Sequence, residues 1–232
     1  THPWKTYSAG VKRKWRTSVV KLSRNIEVDW HTPRVLSDEA KDGFLSSVLG
    51  TVSAATIHAA GVEPFTVFSM YGLWERPHQS TRGGWIYADA SVHRVASDIS
   101  AFIGNQSGHR ILAAGDLNIL YGYGEHGSAY WKRRYENVFE RFETMGLKYA
   151  GPQFPNGRMS DPWPDELPAD SQNVPTYYSR GQSPGLATRQ LDFVFASAPL
   201  KEQLRVKALN DPARWGASDH CMLDIELPYQ GV

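Results

Sequence analysis

Apolar positions along the chain recur with two different periods. "TSVVKLS" (17–23) reads as a strand. The β-rich runs "TVSAATIHA" (51–59) and "FTVFSMYG" (65–72) flank the turn signal "AGVEP" and read as a hairpin. "RILAAG" (110–115) reads as a strand covered on both faces. "QLDFVFAS", "LRVKAL" and "CMLDIEL" alternate with period two, and a short "TYY" precedes them. Helical spacing appears twice. Val92, Val95, Ala96, Ile99, Phe102 and Ile103 follow Asp89, a capping residue. Trp131, Tyr135, Val138, Phe139, Phe142 and Met145 form one side of a helix over 129–145, which Gly146 stops. Residues 31–48 and 76–84 read as loop. Two helices and about eight strands, many of them antiparallel, predict an α/β arrangement of packed sheets with helices outside.

Between Gly151 and Pro175 the periodicity vanishes, and six prolines occur. A loop this long inside a domain is usually functional or mobile. Phe154, Trp163 and Arg158 offer it stacking surface and charge, so Trp163 and Arg158 are candidate substrate contacts.

Composition narrows the picture little. The 232 residues, 41% hydrophobic and 21% charged, suit one globular domain over 1–232. A net charge of +1 announces neither a nucleic-acid nor a membrane partner, although Lys12, Arg13, Lys14, Arg16, Lys21 and Arg24 form a local basic run. The single cysteine, Cys221, excludes an internal disulfide and a cysteine-based zinc site, and it tilts the location towards the cytoplasm. No run is long enough to span a membrane. The chain begins with Thr rather than Met, so a signal peptide cannot be read from it.

Chemistry concentrates at strand ends. Asp116 and Asn118 follow Gly115 at i, i+2 spacing. Asp192 points away from the face of Leu191, Phe193 and Phe195, with Arg189 nearby to pair with it or to meet substrate. Ser218, Asp219 and His220 open the last strand, and Tyr71 closes another. Each has a bland reading as a turn, an ion pair or a core residue. Together they form a set of hard oxygen donors with one imidazole, which suits Mg²⁺ or Mn²⁺ and phosphate-ester hydrolysis rather than zinc chemistry. Tyr121, Tyr123 and Trp131 could stack on a base or sugar, with helix core as the alternative for Trp131.

"GDLN" (115–118), "LDFVF" (191–195) and "SDH" (218–220), after a strand ending in Tyr, resemble the endonuclease/exonuclease/phosphatase superfamily across roughly residues 17–228. The resemblance implies the DNase I-like fold, a four-layer sandwich of two mostly antiparallel sheets flanked by helices. It implies that Asp116 handles the attacking water and can touch the metal, and that Asn118 bonds the phosphate or that water. Asp219 would ligate the metal, His220 would meet the phosphate, Asp192 would orient His220, and Tyr71 would face the phosphate. The family's N-terminal Asn-bearing and Glu-bearing strands have no counterpart here. The chain is therefore expected to be N-terminally incomplete, with a preceding segment or a second chain supplying those strands; Glu27, Asp29 and Glu75 are the substitute carboxylates. The implied activity is a metal-dependent phosphodiesterase, foremost a nuclease with nucleic acid as substrate. The alternatives are an inositol-phosphate or sphingomyelin type of phosphoesterase, or a catalytically dead binding module.

Overall fold

The computed structural model describes residues 17–35, 43–80, 86–106, 108–179 and 181–228. Much of the basic run, from Lys12 to Arg16, lies outside them. A six-stranded sheet dominates. Its strands are β1 (Ile26–His31), β4 (Val52–Ala59), β5 (Val62–Tyr71), β6 (Ile111–Asp116), β7 (Leu147–Gly151) and β8 (Asp192–Ser197), in the order β1-β4-β5-β6-β8-β7. All neighbours are antiparallel except β5 and β6, which run parallel because α1 (Ala88–Ser100) lies between them in the chain. Two short pairs complete the strands: β2 (Pro33–Arg34) with β3 (Phe44–Leu45), and β9 (Arg205–Ala208) with β10 (Leu223–Glu226).

The expected hairpin forms, with Gly61 at φ 73 in its tight turn. Both expected helices form: α2 spans Ala129–Thr144, within one residue of its predicted bounds, whereas α1 ends at Ser100, before Phe102 and Ile103, and Asp89 does not cap it but lies buried in its first turn and pairs with Arg134. The run 17–23 is not a strand; the neighbouring "IEVDWH" is, because it is the segment that pairs with β4. The short β7 and the single-turn α3 (Ala198–Lys201) carried no readable period.

Helices α1 and α2 cover one sheet face. Val92, Ile99, Val138 and Phe142 pack there with Phe68, Ala113, Phe193 and Phe195 in one buried cluster. Phe142 stacks on Phe195 at 4.3 Å, and Phe139 meets Phe193 edge-on at 5.2 Å. Strand alternation therefore sends Tyr71, Asp116 and Asp192, which are register partners across β5, β6 and β8, to the opposite face. The second sheet is small: among the described residues it consists of β9 and β10 alone. It joins the loop 151–191 in a second cluster of Val174, Ala187, Ala208, Trp215 and Cys221. Cys221 is buried. Among the described residues, no helix is long and apolar enough to cross a membrane.

Candidate active site

The carboxyl end of β6 is shaped by two close approaches. A Cβ on Gly115 would lie 1.9 Å from the Met70 carbonyl oxygen, and one on Gly72 would lie 2.2 Å from that of Leu117. Only glycine permits both. Leu117 is fully buried, which turns Asp116 and Asn118 outward. Asn118 takes the left-handed conformation, at φ 52. From there its backbone N–H donates to Asp116 Oδ1 at 2.9 Å. Its side-chain Nδ2 donates to Asp116 Oδ2 at 3.0 Å and to the Gly72 carbonyl at 2.9 Å.

His220 arrives from the far end of the chain. Cys221 N–H donates to the Thr176 carbonyl at 2.9 Å, and Tyr178 N–H to the Asp219 carbonyl at 3.1 Å. Thr176, fully buried, accepts at Oγ1 from the N–H groups of Leu191 and Asp192 at 3.0 and 3.1 Å. The segment 176–178 thus clamps the approach to β10 against the start of β8. The "TYY" run predicted a strand there; only isolated bridges form, from Tyr177 to Arg189 and to His220. The structural role of Thr176 had no sequence signal beyond its place in that run.

In the resulting cluster, His220 Nδ1 lies 2.7 Å from Asp192 Oδ2, and Nε2 lies 3.8 Å from Asp116 Oδ2. The second distance is beyond hydrogen-bond reach, so Nε2 stays available to another group. Burial, then the charge of Asp192, raises Asp116 to about 7 against the opposing pull of His220 and Asn118. Burial alone would lower His220. The hydrogen bond and charge of Asp192, with Asp116 and Asp219 behind it, overcome that and raise it to about 9.

Ligand atoms of Asp116, Asp192 and His220 lie within 4.8 Å of one another. Two carboxylates pressed together until one is pushed towards neutrality form a site that a divalent cation would relieve, and the donor set fits one. Asp219 does not join this group; its side chain is exposed. The substitute carboxylates are engaged or distant: Glu75 pairs with Arg94, Asp29 with His58 at 2.7 Å, and Glu27 is exposed on β1. Tyr71 stands beside Asp116 at the end of β5.

The other expected contacts divide. Arg189 lines a cavity next to Asn118 and pairs there with Glu125 at 3.0 Å. Nothing in the sequence pointed to Glu125. Arg158 and Trp163 are not among the residues lining this cavity. Arg158 donates weakly to the carbonyls of Pro184 and Gly185, and Trp163 Nε1 donates to the Leu167 carbonyl at 3.1 Å, so both make contacts within the structure itself. Tyr123 is buried and Tyr121 packs against Phe139 and Tyr149, so both serve the core. Trp131 does both things: it is buried on α2 and borders the cavity.

No family model matches the chain, and no curated protein matches it in sequence. Solved structures do match in shape. The endonuclease domain of TRAS1, a telomere-specific non-LTR retrotransposon, is 14% identical, with a TM-score of 0.50 over 90% of this chain and 81% of that one. An AP endonuclease from Archaeoglobus fulgidus is 15% identical, with a TM-score of 0.51 over 88% and 79%. The 3′ phosphatase NExo from Neisseria, bound to a product DNA hairpin, is 15% identical, with a TM-score of 0.50 over 88% and 80%. The chain has the DNase I-like fold. In this chain the side chains of Asp116 and Asp192, on the interior strands β6 and β8, lie on the sheet face that the helices leave open.

Proposed function

We propose that the protein is a phosphodiesterase that works with Mg²⁺ or Mn²⁺ and cuts nucleic acid. The observation that supports it most is the Asp192–His220–Asp116 arrangement, in which an imidazole fixed at Nδ1 turns Nε2 towards a second carboxylate. Asp116 is the carboxylate placed to accept a proton from water, and Asn118 holds its orientation. The water oxygen forms the new bond to phosphorus as the ester P–O bond breaks, and the departing oxygen takes up a proton from solvent to leave as an alcohol. His220, raised to about 9 and so protonated at neutral pH, donates from Nε2 to a phosphate oxygen and steadies its growing charge. Asp192 keeps the ring in place and holds the Nδ1 proton. Tyr71 flanks the same phosphate position.

A divalent cation held by Asp116 and Asp192, with Asp219 reaching it through water and the protonated His220 outside its coordination, would neutralise phosphate oxygens. Among the described residues no glutamate joins the cluster, which favours a non-hydrolytic binding module as the second reading. The test is an activity panel with DNA, RNA, inositol phosphates and sphingomyelin, in Mg²⁺, Mn²⁺ or chelator. Metal-dependent cleavage of a nucleic acid, with binding that weakens steeply as salt rises, is expected. Binding without turnover on any of them would support the second reading.

A further inference from the structure

Beside the cluster lies a cavity of about 500 Å³, within the size range of ligand pockets. It shares Asn118 with the candidate site, and it borders Leu191, the residue before Asp192. Its wall is tied to the catalytic imidazole, because the Tyr177 ring lies 5.0 Å from that of His220. A group in the cavity therefore lies near a phosphate held at His220.

Three features describe the occupant. The first is flat apolar surface: Trp74 is 56% exposed at the cavity, an unusual place for a tryptophan, and Tyr177 faces it as well. The second is charge. Arg189 alone would make a second phosphate site, but its Nη1 and Nη2 donate to the two oxygens of Glu125 at 3.3 and 3.0 Å. The pair is neutral, so it suits an uncharged group. The third is hydrogen-bonding capacity. A guanidinium has five N–H groups and a carboxylate about four acceptor positions, so both retain capacity after pairing. The pair thus presents donors and acceptors side by side. A sugar or inositol phosphate would bring hydroxyls and charge but no flat ring. A nucleobase brings a flat neutral ring whose edge carries both donors and acceptors. Guanine fits best, with O6 and N7 to receive from Arg189 and its N1 and N2 hydrogens to donate to Glu125.

We infer, resting on the phosphodiesterase reading, that this cavity is a base-reading pocket: it receives an unstacked guanine against Trp74 and Tyr177 and reads its edge with the Glu125–Arg189 pair. An unstacked base requires a single-stranded or locally opened strand.

The test is calorimetric titration of the full chain with the four deoxynucleoside 5′-monophosphates, deoxyribose 5-phosphate, inositol 1-phosphate and inorganic phosphate. Deoxyguanosine monophosphate is expected to bind at least about ten-fold more tightly than deoxyribose 5-phosphate, and Trp74→Ala to remove about that factor. Glu125→Gln is expected to erase the guanine preference and to strengthen inorganic phosphate, because Arg189 regains its charge. A change that merely loosened the fold would not strengthen any ligand. Equal affinity for the four nucleotides, or tighter inositol phosphate, would overturn the pocket. Hydrolysis of bis(p-nitrophenyl) phosphate, which carries no base, reports the cluster separately. Turnover without base preference defeats the pocket alone, whereas base preference without turnover defeats the phosphodiesterase reading alone.

Discussion

Asp192 and His220, 28 positions apart in the chain, meet at 2.7 Å between Oδ2 and Nδ1. Asp192→Asn should lower the His220 pKa from about 9 towards the ordinary value of 6.5, because a charged acceptor is replaced by a neutral one. Turnover should fall by about 10²–10⁴-fold, as when other oriented acid–base groups are lost. An imidazole proton titration followed by NMR, beside kcat, checks both. A His220 titration unmoved from about 9 would mean that Asp192 does not hold it.

Asp116→Asn should remove turnover and yet stabilise the fold in chelator at pH 8. The sign follows from the raised pKa values. Asp116 rises from 3.8 to about 7 in the fold, so the folded chain keeps a proton that the unfolded chain has lost, and stability declines as pH climbs towards 7. His220 rises from 6.5 to about 9, so its contribution is complete below 6.5 and lost as pH passes 9. Stability should therefore fall between pH 4 and pH 9.5. Urea unfolding of the wild type and Asp116→Asn across that range measures it. A wild-type stability that rises with pH there would contradict the arrangement.

Thr176→Val keeps the shape of a buried side chain but removes the acceptor for two N–H groups, those of Leu191 and Asp192. The expected cost is about 1–3 kcal/mol. Because the lost bonds hold the start of β8, kcat should fall more than the stability change alone explains. Thr176→Ser, which restores the hydroxyl, should recover most of the activity.

Gly115→Ala would press a methyl group against the Met70 carbonyl and part β5 from β6 beside Asp116. A loss of about 3 kcal/mol is expected. Gly104→Ala, where nothing lies within 4 Å of the new carbon, should change stability by no more than about 0.5 kcal/mol. Denaturant midpoints of the two variants make the comparison.

Local pattern decided a good deal. The alternation of Leu191, Phe193 and Phe195 placed Asp192 on the opposite face, because side chains on a strand alternate by geometry. Gly115 and Leu117 around Asp116 determined the turn, since one allows close approach and the other must be buried. The two helices were legible from the spacing of their aromatic and aliphatic residues. What the sequence left open depended on partners far along the chain. The run 17–23 is as apolar as a strand, but a strand needs a paired edge, and β4 gives that edge to 26–31. Trp163 and Arg158 look like free contacts until Trp163 Nε1 and Arg158 Nη2 are seen donating to carbonyls within the structure. Glu125 and Arg189 stand 64 positions apart, and only the approach of the β8 segment to the turn before α2 makes them a neutral pair. Which carboxylates crowd one another, and so which proton is held near neutral pH, depends on through-space distance and burial, and the folded chain sets both.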